Sequence, residues 1–165
     1  MPRKFLLASI VAACATVTGA YLWKNTPLAP ASTFVLLDGS LKSSADFIGK
    51  VTLVNFWATS CTTCVAEMPQ MVSTFHQYQA KGFRTVAVAM QYDPPAYVLN
   101  FAQTRKLPFD VAIDNTGSLA RAWGDVQLTP TSYLVNTRGQ IVKRYVGQPD
   151  FAELHTLIEK LLRES

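Results

Sequence analysis

Two nearly continuous apolar runs, Val51–Trp57 and residues 83–90, lie near the middle of the chain. Their β-branched and aromatic residues predict two buried strands. Between them, apolar side chains recur at intervals of three and four, which predicts a helix from Cys61 to about residue 81, with a kink at Pro69 and an end at Gly82. The apolar positions of this helix are Cys64, Met68, Met71, Val72 and Phe75. A strand, a helix and a strand in this order predict a βαβ unit with parallel strands.

The remainder of the chain predicts shorter elements on both sides of this unit. In order, they are a strand pair over 33–37 and around Leu41, a turn or helical piece over 43–48, a helix from Pro94 to about 106, a strand over 109–113, a helical turn over 118–123, a hairpin of 131–135 and 141–146, and a helix that begins after Asp150. Together these elements predict an α/β domain in which a mixed sheet carries helices on both faces.

The first 24 residues predict an export or membrane-anchoring segment. Residues 5–23 form a 19-residue span without a charge, which is about the length that crosses a bilayer core. Arg3 and Lys4 precede this span, and Trp23 stands at its far end, where aromatic side chains favour the membrane interface. Because the positive end stays in the cytoplasm, we expect the domain that follows to lie on the extracytoplasmic side.

The residues leave three fates open for this segment. An uncleaved signal anchor is favoured, cleavage after Ala20 is the second alternative, and lipidation of Cys14 is the third, since residues 11–14 resemble a bacterial lipobox. Residues 25–32 contain two prolines and are predicted to be a linker, and residues 33–165 are predicted to be the folded domain.

Charge and composition argue against a nucleic-acid-binding surface. The formal net charge is +4, but Arg3, Lys4 and Lys24 supply three of the 15 basic residues, and no acidic residue precedes Asp38. The remaining 12 basic and 11 acidic residues nearly balance, so the domain lacks the basic surface that binds phosphates. With 165 residues, of which 49% are hydrophobic, the chain is long enough for one domain with a buried core.

A Cys-X-X-Cys motif, formed by Cys61 and Cys64, joins the first buried strand to the predicted helix. Cys61 should lie at the helix N-terminus, where unpaired N–H groups and the helix dipole stabilise a thiolate. Such a motif predicts reversible disulfide exchange. A structural zinc half-site is the alternative, but it needs two further ligands. The only histidines, His76 and His155, are expected on the surface or at the boundary of amphipathic helices.

The segment FWATSCTTCVAEMP, residues 56–69, resembles the active-site strand, loop and helix of thioredoxin-superfamily oxidoreductases, and more narrowly of the membrane-anchored TlpA/ResA/CcmG group. Residues 49–50 and 129–130 belong to the same pattern, and the resemblance covers about residues 33–163. It implies a thioredoxin-like three-layer α/β fold, a mixed β-sheet with helices on both faces, preceded by one transmembrane or signal segment. It also implies a thiol–disulfide oxidoreductase of the protein-disulfide reductase type.

The resemblance implies catalytic roles for three residues. Cys61 would attack a substrate disulfide, and Cys64 would resolve the mixed disulfide. Glu67 occupies the position where the ResA-like group has an acid, and it would exchange a proton with the resolving thiol if partial burial raised its pKa. An exposed helix carboxylate is the alternative for Glu67. Thioredoxin itself has an aspartate in the preceding strand, at a position where this chain has Asn55.

The substrate site is likewise implied by the resemblance. Pro130 would be a cis-proline that faces the disulfide, and an ordinary trans proline is the alternative. The backbone of Thr129 would pair with an extended substrate segment, and Trp57 is assigned to the same substrate site. No cofactor is expected beyond the redox-active disulfide.

Two departures from the family pattern leave the direction of electron flow open. Ser60 stands where the family usually has a second tryptophan, and Thr63 stands where most reducing members have proline. The residues between the cysteines tune the reduction potential. Family resemblance favours a reductant of a partner protein's cysteine pair, as in cytochrome c maturation or metal-site assembly. A membrane thiol transporter would supply the electrons, and the chain would be anchored in a bacterial inner membrane with its domain in the periplasm.

Two other classes of function are weighed against this one. A peroxidase of the related peroxiredoxin class would need proline and threonine at positions where this chain has Val54 and Ala58. A copper-binding module, or a domain that uses the fold only as a scaffold without redox turnover, is the second alternative. Copper binding typically needs a Cys-X-X-X-Cys motif and a distant histidine, and the cysteine spacing here is one residue shorter.

Overall fold

A five-stranded mixed sheet forms the centre of the computed structural model, which describes residues 26–164. The strands of the protein are β1 Thr33–Val35, β2 Leu41–Ser43, β3 Val51–Trp57, β4 Phe83–Ala89, β5 Asp110–Ile113, β6 Thr131–Val135 and β7 Ile141–Val146. The order in the central sheet is β5-β4-β3-β6-β7. Strands β3 and β4 are parallel, as the βαβ pattern predicted, β5 is parallel to β4, and β6 and β7 are antiparallel to their neighbours.

Four α-helices and two 3₁₀ turns complete the described fold. The helices are α1 Thr62–Tyr78, α2 Pro95–Arg105, α3 Ser118–Ala122 and α4 Phe151–Arg163, and the 3₁₀ turns are Ser44–Phe47 and Gln79–Lys81. Helix α1 therefore begins one residue after Cys61, which is its N-cap, and its extension ends at Gly82 with a φ of +100°. The Asp150 carboxylate accepts from the first-turn N–H groups of α4, as its position predicted.

The two faces of the sheet carry separate cores because side chains along β3 alternate between them. Leu53 and Trp57 pack in one core with the buried sides of α1, α2 and α4. Val54 and Phe56 pack in the other core with β1, the first 3₁₀ turn and α3. The prediction of helices on both faces is confirmed, although the second face is covered mainly by short elements.

The N-terminal part of the described chain is hydrogen-bonded to the domain. Ile141 donates its N–H to the Pro27 carbonyl at 2.8 Å, and Ala29 donates to the Gly139 carbonyl at 2.8 Å. The indole N–H of Trp123 donates to Ser32 Oγ at 3.0 Å. The ordered contacts of the domain thus begin before residue 33, within the stretch that the prolines predicted to be a linker.

The predicted signal or anchor segment, residues 1–24, lies outside the described residues, as does Cys14. Within residues 26–164, no helix has the length and apolar character needed to span a membrane. The fates proposed for the N-terminal segment remain predictions.

Candidate active site

Cys61 and Cys64 form a disulfide where β3 ends and α1 begins, and their Cα atoms are 5.2 Å apart. The two sulfurs have different environments, since Cys64 is fully buried in the core under α1 whereas Cys61 is only half-buried. The backbone N–H of Cys64 donates to Cys61 Sγ at 3.1 Å. A partner protein can therefore approach the sulfur of Cys61 and not that of Cys64.

The start of α1 is an electrostatic environment that favours negative charge on Cys61. Cys61 is the N-cap, so its sulfur faces the free N–H groups of the first turn, and that turn contains no acidic residue. The helix dipole and these N–H groups stabilise a thiolate over a thiol. The reduced protein would therefore carry its more nucleophilic sulfur at the accessible position.

The loop before β6 lies against the disulfide. The Thr129–Pro130 peptide bond is cis, as the resemblance implied, and Cys61 Sγ is 3.5 Å from the Thr129 carbonyl oxygen. Gly147 donates its N–H to the Pro130 carbonyl at 2.8 Å, and the Thr131 hydroxyl donates to the Leu128 carbonyl at 2.7 Å. These bonds fix the backbone of the loop beside Cys61, while Thr129 stays half-exposed.

Glu67 lies one helical turn after Cys64, and both side chains are on the buried side of α1. Its side chain is fully buried, which excludes the alternative of an exposed helix carboxylate. Burial raises the pKa of Glu67 to about 7, and the hydrogen bond from Asn55 acts in the opposite direction. A carboxyl group with such a pKa gains and loses a proton near neutral pH, which suits general acid–base chemistry.

Asn55 connects Glu67 to the sheet. Its Nδ2 donates to Glu67 Oε1 at 3.1 Å and to Ser132 Oγ at 2.9 Å. Asn55 and Ser132 are paired directly across β3 and β6, and all three side chains are fully buried. The position of Asn55 was noted in the sequence, but its bond to Ser132 was not predicted.

Two of the predicted substrate contacts, Trp57 and Pro130, are buried. The Trp57 side chain is fully buried, and its ring centroid is 5.1 Å from that of Phe101 on α2. What the structure shows for Trp57 is packing under the active-site loop. Its contact with substrate stays a prediction.

Asp93 was not predicted to belong to the site. It binds Thr59, two residues before Cys61. It is nearly fully buried in the turn after β4, and its carboxylate accepts from the Thr59 backbone N–H at 2.6 Å and from the Thr59 hydroxyl. The only sequence signal for such a role was an acidic residue shortly after a parallel strand, at the same sheet edge as the Cys-X-X-Cys motif.

Neither histidine makes a hydrogen bond to a cysteine within residues 26–164. His155 is half-buried, and its Nε2 lies 2.8 Å from the Thr74 hydroxyl, while His76 is exposed. This confirms the surface or boundary placement expected for both. Across residues 26–164, no group of three or more His, Cys, Asp or Glu side chains is placed to hold a metal ion.

Comparison with known proteins agrees with this geometry. Residues 24–158 match the Redoxin family model. The chain is 33% identical over 125 residues to the thiol–disulfide oxidoreductase ResA of Bacillus thuringiensis subsp. konkukian, covering 76% of this chain and 71% of that protein. It is also 33% identical over 152 residues to ResA of Geobacillus thermodenitrificans, covering 89% and 86% of the two chains.

Solved structures of thioredoxin-family proteins are also similar to this chain. The solution structure of a Neisseria meningitidis protein described as a thioredoxin superposes with a TM-score of 0.79 at 41% identity, covering 86% of this chain and 93% of that one. StoA from Bacillus subtilis superposes with a TM-score of 0.67 at 26% identity, covering 79% and 98%. The alternative of a copper-binding or scaffold module is not favoured by these relatives. The chain belongs to the Redoxin family, and within it to the thiol–disulfide oxidoreductases of the ResA type.

Proposed function

We propose that the protein exchanges disulfides with cysteine pairs of partner proteins on the extracytoplasmic side of a bacterial membrane, and that it acts as a reductant. The observation that carries the proposal is the asymmetry of the cysteine pair: Cys61 is half-buried at the N-cap of α1, and Cys64 is fully buried behind it. One sulfur is accessible to a partner, and the other is positioned to displace that partner.

The reaction begins with the reduced protein. The Cys61 thiolate attacks one sulfur of the partner's disulfide, forms a mixed disulfide with it and releases the partner's other sulfur as a thiolate, which takes up a proton. Cys64 then loses its proton to the Glu67 carboxylate and attacks the sulfur of Cys61. The Cys61–Cys64 disulfide forms, the second partner cysteine leaves as a thiolate, and the partner is left with two reduced cysteines.

The proposed substrate site is the surface around the Thr129–Pro130 bond. Thr129 is half-exposed, and its carbonyl oxygen is 3.5 Å from Cys61 Sγ, so an extended segment paired with the Thr129 backbone would bring its own cysteine to Cys61. Trp57, which packs against Phe101 in the core, is proposed to contact the substrate at the same site.

The cellular setting of the proposal comes from the N-terminal sequence and from the relatives. The uncharged span over residues 5–23 supports attachment to the inner membrane with the domain in the periplasm. A membrane thiol transporter would return electrons to the Cys61–Cys64 disulfide. Partners in cytochrome c maturation or metal-site assembly would present the cysteine pairs to be reduced.

The reduction potential of the cysteine pair tests the direction of electron flow. The soluble piece from Thr26 onward is equilibrated in dithiothreitol or glutathione buffers while tryptophan fluorescence is followed. A potential near or below about −220 mV supports a reductant, whereas a value near about −120 mV would make the protein a disulfide donor and contradict the proposed direction.

A trapping experiment tests the division of labour between the cysteines. The Cys64→Ser variant of the full chain, expressed in a bacterial envelope, should accumulate partner proteins in mixed disulfides that dithiothreitol releases. Cys61→Ser is the matched control and should trap none. If Cys61→Ser traps partners as well as Cys64→Ser does, the assignment of Cys61 as the attacking sulfur is wrong.

A further inference from the structure

Glu67 is held by a hydrogen-bonded chain that crosses three elements of the fold. Asn55 Nδ2 donates to Glu67 Oε1 of α1 at 3.1 Å and to Ser132 Oγ of β6 at 2.9 Å. All three side chains are fully buried, so water does not compete for these bonds. The neutral Asn55 amide therefore donates a hydrogen bond to the Glu67 carboxyl group, which lies one helical turn from Cys64.

We propose that Asn55, with its amide oriented by Ser132, is the positioning residue that sets the geometry and the proton affinity of Glu67 for exchange with Cys64. The inference rests on the role given to Glu67 under the proposed function. Within residues 26–164, the hydrogen bonds of Asn55 go to Glu67 and Ser132 and not to a cysteine sulfur, and its side chain is fully buried, so it acts through Glu67.

Ser132 holds the Asn55 amide in place beside Glu67. An amide presents either two donor hydrogens or an acceptor oxygen on a given side. With Nδ2 placed between Glu67 Oε1 and Ser132 Oγ, both hydrogens of the amide have acceptors. The opposite orientation would place Asn55 Oδ1 against an ionised Glu67 oxygen, which is repulsive. The ionised carboxylate therefore selects this orientation, and Ser132, whose hydroxyl can accept as well as donate, holds the amide in it.

Within residues 26–164, no charged side chain displaces the pKa of Glu67. Burial and the Asn55 hydrogen bond are the causes that displace the pKa of Glu67. Strand β3 presents Asn55 and β6 presents Ser132, and the other titratable groups on the buried side of α1 are Cys64 and, about three turns after Glu67, Tyr78. Beside Ser132 on β7, burial and then the charges of Glu153 and Asp150 raise the pKa of Tyr145 to about 12, so its phenol is neutral at working pH.

The hydrogen-bonded side chains Asn55 and Ser132 serve one proton transfer, from Cys64 to Glu67. The Cys64 S–H gives its proton to a Glu67 carboxylate oxygen, which leaves a Cys64 thiolate and a neutral Glu67. The thiolate attacks Cys61 in the mixed disulfide, and the departing partner thiolate takes a proton from solvent. Glu67 then returns its proton to solvent or to Cys64 in the next reduction. By bonding the ionised form, Asn55 would keep Glu67 able to accept that proton near neutral pH.

Carbon-13 NMR titration of Glu67 tests the inference directly. In the oxidised protein, Asn55→Leu should raise the titration midpoint of the Glu67 side-chain carboxyl by about one pH unit or more, because a donor to the carboxylate is lost. Ser132→Ala should move the midpoint in the same direction by a smaller amount. Thr52→Val is the matched control, since it removes a buried hydroxyl of β3 that has no hydrogen-bond partner among the described residues 26–164, and it should leave the midpoint unchanged.

The pH profile of the resolution step separates a positioning role from a structural one. The rate at which Cys64 closes the mixed disulfide is measured from a preformed adduct on Cys61. Asn55→Leu should displace the midpoint of this profile upward together with the NMR midpoint, whereas a merely structural defect would lower stability and leave both midpoints in place. Unchanged midpoints in a folded Asn55→Leu protein would overturn the inference.

Glu67→Gln distinguishes failure of this inference from failure of the proposed function. If Glu67→Gln removes the pH dependence of resolution but Asn55→Leu does not displace it, Glu67 keeps its role and Asn55 loses its own. If Glu67→Gln leaves the profile intact, the role of Glu67 in the proposed function fails, even if Asn55→Leu moves the NMR midpoint.

Discussion

The carboxylate of Asp93 holds Thr59 at two points, its backbone N–H at 2.6 Å and its hydroxyl. Thr59 belongs to the turn in which Cys61 donates its N–H to the Ala58 carbonyl at 3.1 Å. The turn after β4 thereby fixes the turn after β3, two segments separated by 34 residues in the sequence. The position of Cys61 thus depends on a residue outside the Cys-X-X-Cys motif.

We expect Asp93→Asn to destabilise the protein by about 1–3 kcal/mol, because asparagine keeps one acceptor oxygen where the carboxylate has two and lacks the charge that strengthens both bonds to Thr59. Urea unfolding of the oxidised protein measures the loss, and faster amide hydrogen exchange at Thr59 locates it. Asp38→Asn changes an exposed aspartate in the β1–β2 turn and should have little effect on Thr59. Equal exchange rates at Thr59 in the wild type and Asp93→Asn would contradict the role given to Asp93.

Local sequence patterns predicted the reactive residues of the site, but not the hydrogen bonds that hold those residues in place. The apolar run of β3 and the helical spacing after it placed Cys61 at the start of a helix, because both signals lie within consecutive residues. The bond between Asn55 and Ser132 joins residues 77 apart and depends on β6 lying beside β3. Periodicity within a segment carries no information on which strand becomes its neighbour.

The N-terminal stretch of the domain shows a second limit of the same kind. Residues 25–32 contain two prolines and no periodic pattern, which is typical of a linker. Besides the bond from Trp123 to Ser32 Oγ, the contacts that hold this stretch use the Pro27 carbonyl and the Ala29 N–H, backbone groups that nearly every sequence possesses. Side-chain pattern therefore could not predict these backbone bonds.

Glu67 should make the stability of the oxidised protein fall as the pH rises. The pKa of Glu67 is about 7 in the folded state, against 4.5 for a glutamate exposed to water, so between these pH values the folded protein holds a proton that the unfolded chain has released. The stability present below pH 4.5 is lost as the pH passes 7, by about 3 kcal/mol for this group. Urea unfolding at several pH values measures this slope.

Glu67→Gln should remove that part of the pH dependence, since glutamine does not titrate and keeps an oxygen that can accept from Asn55. We expect the variant to match the wild type near pH 4 and to be more stable above pH 8. Glu153→Gln changes a half-exposed glutamate of α4 and serves as the control. Parallel stability curves for the wild type and Glu67→Gln would show that burial does not raise the pKa of Glu67 as stated.

Trp57→Phe should affect stability more than substrate turnover. The Trp57 side chain is fully buried against Phe101, so the smaller ring leaves a cavity that costs about 1–3 kcal/mol. We expect kcat/KM for a protein disulfide to change by less than about twofold, because buried residues are positioned for packing. Trp123→Phe, in the core on the other face of the sheet, is the matched control. A large loss of kcat/KM in Trp57→Phe alone would support the predicted contact between Trp57 and the substrate.

Leu128 is the exposed apolar side chain next to Thr129, and 65% of its surface is accessible. If partner segments pair with the Thr129 backbone, they should cover Leu128 as well, because a side chain adjacent to a paired backbone is buried by the same contact. Leu128→Ala should therefore reduce kcat/KM for a protein disulfide by up to about tenfold. A tenfold loss corresponds to the lower end of the free energy gained when a leucine side chain is buried.

A small disulfide such as oxidised dithiothreitol supplies the comparison for Leu128→Ala, since it reaches Cys61 without covering the surface around Thr129. Its exchange rate should be unchanged. Leu41→Ala is the matched control variant, because Leu41 is 67% exposed on β2 and should leave the rates with both substrates unchanged. Loss of rate with the small disulfide would place the effect of Leu128 on the disulfide itself. Loss with neither substrate would mean that partners do not dock over the loop before β6.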